Sequence, residues 1–83
     1  MAEHSPGVDG YYREPIAEAA IGSAIVYVCR GGSAAVISQY DSAWIGWPPA
    51  HEDVVHLLMA RDAVLREAGQ ILQMRLEAQT PRP

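Results

Sequence analysis

The sequence predicts an α+β fold: an antiparallel β-hairpin, open to a third strand, packed against one long C-terminal amphipathic helix. Two apolar, β-branched segments flank Gly31-Gly32-Ser33, which is the pattern of a hairpin. A proline-free stretch of helix formers from His51 to Ala78 carries its apolar residues on one side. The chain has only 83 residues, enough for one small core.

The segment Pro15-Ile16-Ala17-Glu18-Ala19-Ala20-Ile21-Gly22 has proline where helices start and glycine where they stop. A short helix over 15–21 is the first reading; a strand is the alternative, because strongly β sequence follows. Ser23 to Arg30 and Ala34 to Tyr40 are the two hairpin strands. Both are apolar on both faces rather than alternating, so each face of the hairpin is expected to meet something. Asp41 to Pro49 forms a connector whose path is set by Gly46 and two prolines.

The stretch 51–78 supplies the strongest periodic signal. On one helical face lie Val54, Leu57, Leu58, Val64, Leu65, Ala68, Ile71, Leu72 and Leu76, interrupted by Arg61 and Arg75. As a single helix its 28 residues would span about 42 Å. A domain of this size has a diameter of about 30 Å, so the rod would overhang its body unless it bent at Gly69. An overhanging apolar stripe needs a second chain, and a homodimer interface is expected at Leu58, Arg61, Leu65, Leu72, Arg75 and Leu76. Residues 11–78 then form the single domain, with 1–10 a flexible arm and 79–83 a flexible tail.

Composition narrows the function classes. Six basic residues, all arginines and scattered, stand against ten acidic ones for a net charge of -4. Nucleic-acid binders draw their affinity from clustered basic groups, so no direct nucleic-acid partner is expected. No apolar run reaches membrane-spanning length, and the one cysteine, Cys29, excludes an internal disulfide. A cytoplasmic setting follows from these readings. Lys, Asn and Phe are absent, which points to a GC-rich genome.

No catalytic, cofactor-binding or metal-binding set emerges. His51 and His56 stand five apart, which turns them about 140° from each other on a helix, whereas a zinc-protease helix needs four. Cys29 lies in an apolar strand with no recognisable activating group, and Gly31-Gly32-Ser33 lacks the lysine and following helix of a phosphate loop. The chain is therefore read as a non-enzyme with no cofactor and no small-molecule substrate.

The aromatics carry the better signal. All six lie between residues 11 and 47, outside the helical stretch. Tyr11, Tyr12, Trp44 and Trp47 are the expected partner-binding residues, because tyrosine and tryptophan dominate protein interfaces. The resulting expectation is a protein-binding protein that docks on a larger protein. A phage or mobile-element inhibitor of a bacterial host system, of the anti-CRISPR type, suits its size and acidity. The alternative is a small accessory subunit of a larger bacterial enzyme or secretion complex.

Overall fold

A computed structural model describes residues 14–79. The chain runs β1 (Pro15–Ile21), β2 (Ala24–Cys29), β3 (Ser33–Ile37), β4 (Ser42–Gly46), α1 (His51–Leu58) and α2 (Ala63–Gln79). The four strands form one antiparallel meander in the order β1-β2-β3-β4. The fold is α+β, as the composition of its segments predicts, with C-terminal helices packed on the sheet. The expected arm and all of the tail but Gln79 lie outside the described residues.

Two expectations need correction. The 15–21 segment is a strand, not a helix. Seven residues cannot sustain a helix without tertiary support, whereas pairing with β2 from Ala17↔Val28 to Ile21↔Ala24 satisfies the backbone groups on the inner side of this edge strand. Gly22 enables it: with φ of 60° it turns the chain in a two-residue connection to β2.

The expected 28-residue rod is also two helices, broken at Met59–Asp62 and not at Gly69. Asp62 causes the break. Its Oδ1 accepts from the Val64 and Leu65 amides at 2.8 and 3.1 Å, which makes it the N-cap of α2. Arg66 reinforces the turn by donating from one guanidinium nitrogen to the carbonyls of Ala60 and Arg61 at 2.8 and 2.6 Å. Asp62 and Arg66, one helical turn apart, thus each hold backbone groups at the break. The helices fold back on each other, so the overhang that called for a second chain does not exist.

Both helices lie on one side of the sheet. The core joins Ile21, Ala24, Val26, Ala34, Val36 and Ile45 of the strands to Val54, Leu57, Leu65, Ala68 and Leu72 of the helices. Two polar ties fix the helix layer. The Ser38 hydroxyl donates to Asp62 Oδ2 at 2.8 Å, and the Ser23 amide donates to Glu67 Oε1 at 3.1 Å.

Candidate functional site: the uncovered face of the sheet

Strand residues alternate between two faces, so the register assigns every side chain to a side. In the rows Ala19-Val26-Val36-Ala43 and Ala17-Val28-Ala34-Ile45 the β2, β3 and β4 residues pack toward the helices, while Ala17 and Ala19 of the edge strand are exposed. The intervening rows are Ala20-Ile25-Ile37-Ser42, Glu18-Tyr27-Ala35-Trp44 and Pro15-Cys29-Ser33-Gly46. The first two point away from both helices, whereas the third ends at Gly46, where a β-carbon would lie 3.2 Å from Asp53 Oδ2 of α1.

A solvated sheet face normally reads polar. This one does not. Among its three rows Glu18 is the one charged residue, and Ile25, Tyr27, Ala35, Ile37 and Trp44 make up its centre, with Cys29 buried beside them. Ile25 is 42% exposed and Trp44 49%, while Tyr27 and Ile37 are half-buried. Ala35 is only 9% exposed, because it is flanked in register by Tyr27 and Trp44. The two-sided apolarity of the hairpin strands therefore has one half of its explanation in the helix layer. Among the described residues, no element covers the other half.

Four strands spaced about 4.8 Å apart and about five residues long give a plane of roughly 300 Å². A stable interface takes about 800 Å² from each partner, so this face suits the apolar centre of a larger contact. Its geometry offers stacking and apolar burial and little that orients a reacting group.

The expected site residues fall in different places. Trp44 stands on the uncovered face. Trp47 packs on the other side, against the core beneath the helices. Tyr11 and Tyr12 lie outside the described residues. Ile25, Tyr27 and Ile37 join Trp44 but were assigned only strand roles by the sequence; the missed signal was their common parity once the register is known. Of the expected dimer residues, Leu65 and Leu72 need correction: at 1% and 3% exposure they belong to the chain's own core. Leu58 and Leu76 pack half-buried against that core, and Arg61 and Arg75 are exposed.

Potential chemical groups are dispersed. Cys29 is a buried free thiol whose Sγ lies 3.6 Å from the carbonyl of Tyr27, two residues earlier. His51 and His56 are exposed on α1, and among the described residues no three His, Cys, Asp or Glu side chains converge to hold a metal ion. No described helix is long and apolar enough to cross a membrane. No protein-family model, curated protein or solved structure matches this chain.

Proposed function

We infer that this is a non-enzymatic protein-binding protein that docks on a larger protein partner through the uncovered face of its sheet. The observation that carries this reading is the apolar centre built by Ile25, Tyr27, Ile37 and Trp44 on the side away from both helices. Apolar surface that faces water in this way is costly to leave uncovered and serves as a contact surface. The lone thiol, Cys29, suits a cytoplasmic setting. An inhibitor of a bacterial host system encoded by a phage or mobile element fits the small size and the acidic charge.

The same face would serve a second copy or a permanent place in a larger complex. These readings differ in behaviour: a free-standing binder melts cooperatively by itself, and an obligate subunit does so only with its partner. The test is capture from the native host with the wild-type chain and with Ile25→Thr/Trp44→Thr. A partner held by the wild type and lost by an equally stable double variant supports the reading. Equal capture by both removes it.

A further inference from the structure

A second surface, separate from the sheet face, lies where the β4–α1 connector meets the last turns of α2. Trp47, Pro48 and Pro49 form one wall of a cleft of about 180 Å³, and Leu72, Arg75 and Leu76 of α2 form the other. Pockets for drug-sized molecules run to 300–1,000 Å³, so this one admits a single side chain. Its walls are apolar apart from Gln79 at the end of α2 and Arg75, which is exposed and has neither ion pair nor hydrogen bond among the described residues. An unpaired guanidinium at the edge of an apolar recess selects an occupant that brings an apolar body and an anionic group together.

We propose that this cleft receives one apolar side chain of a partner polypeptide, with a carboxylate beside it that pairs with Arg75. Leu72 and Trp47 are anchored in the core, so the recess is preformed and its walls need no ordering on binding. Arg75 supplies discrimination and the recess supplies contact area. The proposal does not depend on the sheet face.

The probes are N-acetyl-leucine, N-acetyl-leucinamide and N-acetylglycine, titrated into the full chain and followed by the indole N–H resonances of both tryptophans. Trp44, on the opposite face of the sheet, is the internal reference. N-acetyl-leucine should move Trp47 saturably with a millimolar dissociation constant, the scale for so small a ligand, and leave Trp44 in place. The amide should bind about threefold more weakly, as loss of an exposed ion pair implies, and N-acetylglycine should leave Trp47 unmoved. Arg75→Gln should reduce the acid to the level of the amide without changing the melting temperature. Equal affinities for acid and amide, an unmoved Trp47, or an acid–amide difference that survives Arg75→Gln would overturn the proposal. So would a wild-type dimer in sedimentation that Arg75→Gln splits, since a second copy would then be the occupant.

Discussion

Gly69 of α2 lies so close to α1 that a β-carbon there would stand 2.9 Å from the Leu57 Cβ and 3.0 Å from the Leu58 backbone nitrogen. The contact explains a buried glycine within a helix. Gly69 marks where two helices cross at close range, and it bends neither.

Gly69→Ala is therefore expected to destabilise. Alanine improves helix propensity by about 1 kcal/mol, but overlap with packed backbone in a tight core costs about 1–3 kcal/mol on a comparable scale and cannot be relieved by a rotamer change. Thermal melting should show a lower midpoint for the variant. A raised midpoint would mean that α1 moves aside freely.

Asp62 joins three elements, and its charge should be visible in acid. The Ser38 hydroxyl holds its carboxyl below the ordinary 3.8; desolvation opposes it, and the Leu65 and Val64 amides and the nearby Arg66 add to the lowering. A depressed folded pKa means that the unfolded chain takes up the proton first. The stabilisation is complete above the ordinary aspartate range and is lost as pH falls through the lowered value. Acid unfolding of the wild type should thus fall more steeply below pH ~4 than that of Asp62→Asn, and Ser38→Ala should lie between them. Parallel acid limbs for all three would refute the linkage.

Gly22 combines a φ of 60° with a position where a β-carbon would meet Glu67 Oε1 at 2.6 Å. The carboxylate sits there because it accepts from the Ser23 amide. Gly22→Ala should cost about 1–2 kcal/mol from the backbone conformation, and Glu67→Ala in the same background should recover little of it. Denaturant midpoints of the two variants decide this. Full recovery would assign the cost to the Glu67 contact and not to the backbone.

Adjacent strand residues should differ sharply. Val26 is 0% exposed and packs under the helices, whereas Ile25 is 42% exposed on the outer face. Val26→Thr should lose about 1–3 kcal/mol by burying a hydroxyl, while Ile25→Thr should change stability by no more than about 0.5 kcal/mol. Similar losses at both positions would mean that the outer face is covered within the chain.

The hairpin was legible because β-branched residues and the Gly31-Gly32 turn agree with each other. The apolar stripe of 51–78 grouped Val54, Leu57, Leu65, Ala68 and Leu72, all of which lie in the core, but Leu65 and Leu72 were expected to meet a second chain and not the sheet. It did not reveal the helix break, since both helices turn their apolar sides to the same sheet and the periodicity continues across Met59–Asp62. An N-capping aspartate before Ala63-Val64-Leu65 was the available sign. For 15–21, proline and glycine at its ends suit a helix as well as a strand edge, and tertiary pairing decided between them. The outer face stayed hidden because the apolarity of a strand residue says nothing of which side it takes until register is known.

The most direct measurement of the docking face is a footprint on the complex with the captured partner, read from the side-chain resonances of Ile25, Ile37, Trp44 and, for comparison, Ile71. Protection from a soluble paramagnetic probe should grow at Ile25, Ile37 and Trp44 when the partner binds and stay unchanged at Ile71 on the helix layer. Protection confined to the helices, with Ile25 and Trp44 as accessible in the complex as in the free chain, would contradict the assignment.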